Sequence, residues 1–493
     1  MKAGAFHDAS REGVQMGEGD FVVIGSGAGG GAAARALAQA GWSVAVLEEG
    51  PLVRGGETTP ILRESLARLF RQNGRTAALG RPPLPYLQGC CVGGTTFVNS
   101  AIVWRLPGKV LSRWHADFGL EEGLPEKELQ SAYASLDDEM HVRPVADAVA
   151  SRSDLLMRDG ATRAGIESRT VHRYERGCRG SGRCFHGCPH DAKQSTAINS
   201  LRRAVEDGAH LFARAPVQRI ELSGGRATAA VGNGFRIEAR KAVVVAASAV
   251  QSPNLLRRSG LGGAHLGEHF MAHPGTSVTG VYPDRVDMWT GASQGYEAYG
   301  LRDSLGIKFE TINVPPEVAA SRLPGAGQRF ARQLERLDHL ASWAVALRAE
   351  AEGSVRPSRL FGDIVRYTMT KPDVERLRKG IRACADMHFH AGATEVMPGV
   401  HGVPESIGRD QRALLDDAPL DPRAYSMLAT HLFGGCRAGK NPGASVVDPQ
   451  LRVHGVRGLY VMDASVFPTN TGVNPQHSIM AIALVAARRL AGA

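Results

Sequence analysis

Two segments of this 493-residue chain carry residues whose types and spacing could do chemistry. The first is Gly25-Ser26-Gly27-Ala28-Gly29-Gly30, a G-x-G-x-x-G pattern. In such a pattern Gly25 allows a tight turn and Gly27 lets the backbone approach a pyrophosphate. Gly30 lets helix and strand pack closely. The pyrophosphate of a dinucleotide then rests on the free amides and positive end of the helix. The second is Cys178-x5-Cys184-x3-Cys188-Pro189. Thiolates this close serve iron–sulfur clusters, zinc or disulfides. Zinc prefers C-x2-C pairs, which are absent, but His172, His186 and His190 are at hand as nitrogen ligands.

The elements that would position these residues are legible nearby. Phe21–Ile24 reads as a short buried strand before the glycines. Ala32–Ala40 reads as a helix ended by Gly41, and Trp42–Leu47 as the next buried strand. Glu48 closes that strand about 20 residues on, where a carboxylate can accept both ribose hydroxyls. Glu49 is adjacent, and the choice between the two stays open. Strand, glycine turn, helix and strand together imply an FAD or NAD site. An N-terminal position suits FAD. No second fingerprint is evident mid-chain, which argues against an architecture that also binds NAD(P)H.

Farther along, Leu201–Glu206 reads as helix, and His210–Ala213, Val217–Leu222 and Phe235–Val245 as strands of a small meander. Residues 270–430 look irregular, with a charged helical piece near Gly327–Ala351. The chain closes with an apolar helix, Ser478–Leu490.

The gross numbers exclude several classes. Hydrophobic residues make up 43% and charged residues 22%, as in a globular protein. No apolar stretch approaches the roughly 18 residues of a membrane span. Met1–Asp20 is charged and has no apolar core, so a cytoplasmic location is the default. Export with a signal-bearing partner stays open. The net charge of +9 is dispersed rather than gathered in a stripe, which argues against a nucleic-acid role. Seven cysteines, an odd number in a long chain, do not make a disulfide scaffold.

Four segments resemble the glucose–methanol–choline (GMC) oxidoreductases. They are the fingerprint with Leu47-Glu48-Glu49-Gly50; Gly93-Gly94-Thr95-Thr96 with Asn99 and Arg105; Ser248–Gly262; and a C-terminal block. That block runs from His431-Leu432-Phe433-Gly434-Gly435 through Leu459–Ser465 to Val473-Asn474-Pro475. The Ser248–Gly262 segment is the most specific of them.

The resemblance implies an α/β fold, α+β overall. A Rossmann-like FAD-binding domain would comprise 18–110, 195–275 and 431–493, and 111–194 would be an insertion holding the cysteines. Residues 276–430 would form an interleaved antiparallel-sheet substrate-binding subdomain. It implies FAD held by Gly25, Gly27, Gly30, Glu48, Gly93, Gly94, Thr95, Asn99, Val217, Asp463, Asn474 and Pro475. It implies FAD-dependent oxidation of a small-molecule alcohol, with His431 as general base and Asn474 at the second catalytic position. Histidine suits that task, since its pKa lies near operating pH. Asn474 can hydrogen-bond the substrate oxygen but cannot act as a base. His477 sits at the start of the closing helix and could face toward or away from the flavin. His269 and His273 read as packing residues.

Cys178, Cys184 and Cys188 resemble the segment that holds a [3Fe-4S] cluster in bacterial FAD-dependent sugar dehydrogenases. They equally resemble a segment of long-chain alcohol oxidases. A cluster, a metal-free loop and another metal therefore remain alternatives. A cluster would send electrons to an acceptor protein, and a small partner subunit is open. Without a cluster the acceptor would be O2, a quinone or a dye. A flavin-containing lyase and an electron-transfer subunit are the rival functions.

Overall fold

The computed structural model describes residues 4–14 and 16–492. Its first sheet grows from the apolar runs flanking the glycine pattern. Glu18–Ile24 and Val44–Leu47 pair in parallel, with Val22 opposite Ala45 and Val23 opposite Val46. From Phe21 onward both are buried on both faces, so they read as continuous apolar runs. Phe235–Val245 pairs in parallel on the other side of Glu18–Ile24, with Val243 opposite Val22. The order is Ala5–Asp8, His210–Ala213, Val44–Leu47, Glu18–Ile24, Phe235–Val245, Arg226–Gly232 and Val217–Ser223; Leu459–Val461 also pairs with Phe235–Val245. The strand Arg226–Gly232 completes the meander and was not foreseen, because its alanines are weak strand formers.

The helix after the glycine turn runs Ala28–Gln39, starting four residues before the Ala32 that its composition suggests. It packs on the closing helix, Gln476–Gly492. The early glycines belong to it. A side chain on Gly29 would strike the Met462 carbonyl, and one on Gly30 the Gly25 carbonyl.

Residues 270–430 are not irregular. A second, antiparallel sheet centres on the 14-residue strand Glu268–Val281. Leu340–Leu347 flanks it on one side and Leu428–Phe433 on the other. Ile307–Ile312 pairs next to Leu340–Leu347. The helical piece foreseen near Gly327–Ala351 covers only Gln328–Glu335. The apolar run that follows is the Leu340–Leu347 strand, buried between two others. Behind the sheet lies a 20-residue helix, Lys371–His390, opened by a capping box between Thr370 and Asp373. Gly380 hid it from view, since glycine weakens a helix pattern. That glycine is there because a Cβ would sit 2.9 Å from a Val345 methyl.

No helix among the described residues is long and apolar enough to cross a membrane.

Candidate active site

A single cavity of about 730 Å3 runs from the glycine turn of the first sheet to the open face of the second. At its nucleotide end the lining is mostly backbone. Gly25 takes φ +98°, and its N–H donates to the Leu47 carbonyl at 2.8 Å. The space where Gly27 would carry a Cβ is empty, so its backbone faces the cavity directly. Gly94, at φ +52°, approaches so closely that its Cβ would lie 3.1 Å from Gly27 Cα. The helix starting at Ala28 has no side-chain cap, which leaves its first amides free for an anion.

Glu48 is buried, and its carboxylate is pinned to this turn. It accepts from Ser26 N–H at 3.1 Å, Ser26 Oγ at 2.6 Å and Gly50 N–H at 2.9 Å. Burial pushes its pKa up. Glu49 points elsewhere, into a bidentate pair with Arg71 at 2.8 and 2.9 Å. Burial opposes its charge, but Arg71 overcomes that and holds its pKa below the usual range. Asp463 accepts from Ser248 N–H at 2.8 Å, Ser252 Oγ at 2.5 Å and Ser465 N–H at 2.8 Å. Asn99 donates to Gln476 Oε1 at 2.7 Å, tying the second glycine loop to the closing helix. Thr95 accepts from Gly89 N–H at 3.0 Å.

Gly25, Gly27, Glu48, Gly94, Thr95 and Asn99 therefore all line the cavity. So do Val217, Asp463, Asn474, Pro475 and His431. Gly30 and Gly93 do not. Gly30 is packed beneath the turn, and Gly93 N–H donates to Ser26 Oγ at 2.9 Å. An open glycine backbone, two glycine loops in near contact and an uncapped helix start fit the pyrophosphate of FAD.

At the other end the lining is side chains. His431 stands where Leu428–Phe433 bulges. Between the pairs Ala272–Leu432 and Pro274–Ala429, one residue of Glu268–Val281, His273, faces two of its partner, Thr430 and His431. The extra residue re-aims local side chains, as bulges do near active sites. It brings His431 Nδ1 to 3.0 Å from His273 Nδ1. Burial lowers the pKa of His431 to about 4, so its imidazole is neutral at pH 7. Burial and His431 likewise push His273 well below the usual histidine range.

Beside this pair lies a buried charge network. Lys308 Nζ contacts Glu297 Oε2 at 3.0 Å and Glu310 Oε1 at 2.5 Å, and donates to Asn474 Oδ1 at 2.5 Å. Arg169 bonds the other oxygen of Glu297 at 2.7 Å. Burial opposes the charge on Glu310, yet Lys308 draws its pKa down to about 2. The bond from Lys308 fixes the Asn474 amide with its oxygen turned away and its NH2 beside Glu310. The amide thus donates to Glu310, and Asn474 also lines the cavity.

A family model described as GMC oxidoreductase matches residues 66–275, and its C-terminal counterpart matches 350–483. A third, described as FAD binding domain, matches 20–60. The chain belongs to the GMC oxidoreductase family. A GMC-type oxidoreductase of Mycobacterium tuberculosis is 36% identical over 486 residues, covering 95% of this chain and 75% of that one. A long-chain-alcohol oxidase of Arabidopsis thaliana is 27% identical, covering 96% and 66%. The crystal structure of pyridoxine 4-oxidase from Mesorbium loti superposes with a TM-score of 0.73 at 20% identity, covering 95% and 98%. As a member of this family the protein is an FAD oxidoreductase with the expected α/β fold.

All seven cysteines are free, and among the described residues no group of three or more His, Cys, Asp or Glu could hold a metal ion. Spacing alone therefore carries the [3Fe-4S] reading of Cys178, Cys184 and Cys188. Cys184 is a buried partner of Arg173, whose Nη2 lies 3.0 Å from its Sγ. Burial opposes the thiolate, but Arg173 and Lys193 bring its pKa down to about 7. Lys193 in turn donates to the carbonyls of Phe97, Asn99 and Cys184. Lys193 thereby ties this segment to the loop that carries Thr95 and Asn99.

His477 faces away from the cavity, between Tyr174 OH at 2.8 Å and Asp137 at 3.1 Å. His269 lies outside it as well, paired with Glu352 at 2.6 Å. Sequence reasoning missed Lys308, Glu310 and the role of His273. In Ile307-Lys308-Phe309-Glu310 the charges alternate with apolar residues, as on a strand with one wet face. Here both faces are buried.

Proposed function

We propose that this enzyme oxidises an alcohol carbon to the carbonyl, with His431 as the base that takes the hydroxyl proton. The observation that carries the reading is the placement of His431. It is neutral and opens on the cavity, which Asn474 also lines. FAD, when bound, accepts hydride from the carbinol carbon at its N5. Residues 18–110, 195–275 and 431–493 would hold it, with 276–430 supplying the substrate chamber. Glu48 would meet the adenosine ribose, Val217 the adenine and Asp463 the ribityl–diphosphate stretch. Gly27 and Gly94 would meet the pyrophosphate, and Asn474-Pro475 the flavin's pyrimidine side.

For His431 to act through Nε2, its Nδ1 must carry a proton and donate it to His273 Nδ1. His273 then fixes both tautomer and ring plane. The Asn474 NH2 donates to the substrate oxygen as the proton leaves, which stabilises the developing negative charge. Glu310 supports the imidazolium that results, since its charge favours the protonated ring. The test is anaerobic mixing of the holoenzyme with a panel of alcohols. Wild type should bleach the flavin band with at least one class, and His431→Gln should do so far more slowly. A flavin that stays oxidised with every class would overturn the reading.

A further inference from the structure

We propose that Gln294 sets the specificity of the substrate end: its Oε1 accepts a hydrogen bond from a second hydroxyl close to the carbinol, so that closely spaced diols are preferred over simple alcohols. The inference rests on His431 and Asn474 marking the reacting end.

Three of the amide side chains that line the cavity belong to its substrate end: Gln294, Asn313 and Asn474. Two of them have no carbonyl oxygen to offer. Lys308 holds Asn474 Oδ1 at 2.5 Å. Asn313 Oδ1 is sealed from solvent, while its NH2 donates to the Ala292 carbonyl at 2.7 Å and to Ser151 Oγ at 2.9 Å. Gln294 differs. Its Nε2 donates to Glu310 Oε2 at 2.7 Å. Lys308 keeps Glu310 ionised, and an ionised carboxylate only accepts, so this bond fixes which end of the Gln294 amide is NH2. Oε1 is thereby turned away from Glu310. It has no hydrogen-bond partner among the described residues, and unlike Asn313 Oδ1 it is not sealed. The side chain is half-buried and lines the cavity, which leaves Oε1 there as an open acceptor.

The backbone on either side of Gln294 is pinned. The Ser293 carbonyl accepts from Asn313 N–H at 2.8 Å, and Gly295 N–H donates to Thr311 Oγ1 at 3.1 Å. Held by its backbone and by Glu310, the side chain has little rotamer freedom left to lose when a ligand binds. Its place relative to the reacting end follows from a shared partner, since Asn474 bonds the same Glu310 carboxylate. Two amides on one carboxyl group are neighbours, so a substrate that meets both carries its two polar groups close together. A hydroxyl suits Oε1, because it can donate where an ether, a ketone or an alkyl group cannot. Lys308 and Arg169 already balance Glu297 and Glu310, so nothing there calls for a cationic donor. An apolar group would strip the amide oxygen of water and give it no partner. A site built to bond a substrate hydroxyl rejects analogues that lack it for that reason.

The test reads kcat/KM of the holoenzyme with 1-hexanol, 1,2-hexanediol and 1,6-hexanediol. The 1,2-diol should exceed hexanol by about 3- to 10-fold, the worth of one neutral hydrogen bond. The 1,6-diol, whose second hydroxyl is remote, should behave like hexanol. Gln294→Met keeps the length of the side chain and removes the acceptor. It also takes a donor from Glu310, so activity should drop with every substrate. The readout is therefore the ratio of 1,2-diol to hexanol, which should fall to near one. A second measurement needs no turnover. Pinacol and 2,3-dimethyl-2-butanol differ by one hydroxyl, and neither has a carbinol hydrogen to give up. Titrated against the oxidised flavin spectrum, pinacol should bind wild type more tightly, and the two should bind Gln294→Met alike. A wild type that prefers hexanol or shows no preference for pinacol, an equal loss for diol and hexanol in the variant, or a pinacol preference that survives the substitution would each overturn the proposal. If no alcohol bleaches the flavin, the role of His431 fails, and the pinacol titration still decides Gln294.

Discussion

The two ends of the cavity solve their tasks with different materials. The nucleotide end is built from backbone: Gly25, Gly27 and Gly94 contribute conformation and absence of side chain, and Glu48 is locked onto the same turn. The substrate end is built from side chains on strands far apart in sequence. There His273, Lys308, Glu310, His431 and Asn474 meet only through the fold. A cofactor that must be held firmly suits a surface of fixed amides. A reacting group that must give and take charge suits a buried network whose charges balance.

His431→Gln is the sharpest way to break the substrate end alone. Loss of a general base should reduce kcat/KM by about 10^2- to 10^4-fold. FAD content and Tm should stay near wild type, because the substitution lies far from the glycine turn. A comparable loss of bound FAD would show that the two ends are not separable.

Lys308→Met tests the charge balance. It would leave Glu297 with Arg169 and the Trp104 indole N–H, and take from Glu310 its Lys308 partner. Removing one partner of a buried ion pair destabilises by about 3–5 kcal/mol. Thermal or denaturant unfolding should show a drop of that order. The paired variant Lys308→Met/Glu310→Gln should recover much of it. It should recover less activity, because the Asn474 amide loses its clamp in both. Full recovery of kcat in the double variant would mean that Lys308 only balances charge and does not orient Asn474.

Gly94→Ala is the matching test at the nucleotide end. Gly94 sits at φ +52°, ψ −142°, and a Cβ there would press on Gly27 Cα. Holding a non-glycine residue in such a conformation takes about 1–3 kcal/mol. The expected outcome is weaker FAD retention on gel filtration, with turnover of the fully reloaded enzyme close to normal. Unchanged retention would argue that this loop does not touch the cofactor.

The same division explains what was legible in the sequence. The nucleotide end is local: strand, glycines, helix and acidic residue fall within about 30 residues, as the motif's mechanism requires. The backbone then did what the glycine types imply, φ +98° at Gly25 and open space at Gly27. The second sheet was illegible because its evidence is non-local. Lys308 reads as a surface residue until Glu297, Glu310 and Asn474 are brought around it. His273 reads as packing until a bulge in another strand turns His431 toward it. For the cysteines, spacing singles out Cys178, Cys184 and Cys188 as ligand candidates, and the fold adds what no spacing could show, the cations Arg173 and Lys193 around the buried Cys184 thiol.

The smallest effect probes how the substrate end sets the state of its base. Burial holds His431 at about pKa 4, below its ordinary 6.5, while the nearby Glu310 raises it and Lys308 lowers it. The neutral ring is the active form, so kcat/KM should be flat at neutral pH and fall only as pH approaches 4. Removing the Glu310 charge withdraws support from the imidazolium. In Glu310→Gln the acid limb should therefore move to still lower pH, and a limb that moved upward would show that Glu310 does not face the ring. Stability carries the same sign. Unfolded His431 takes up its proton near pH 6.5 and folded His431 only near 4, so the unfolded state binds more protons across that window. Folding is weakened as pH falls from 6.5 to 4, and His431→Gln, which has nothing to protonate, should lose stability less steeply there. If both proteins follow the same slope in urea unfolding across that window, the imidazole is not held neutral by burial.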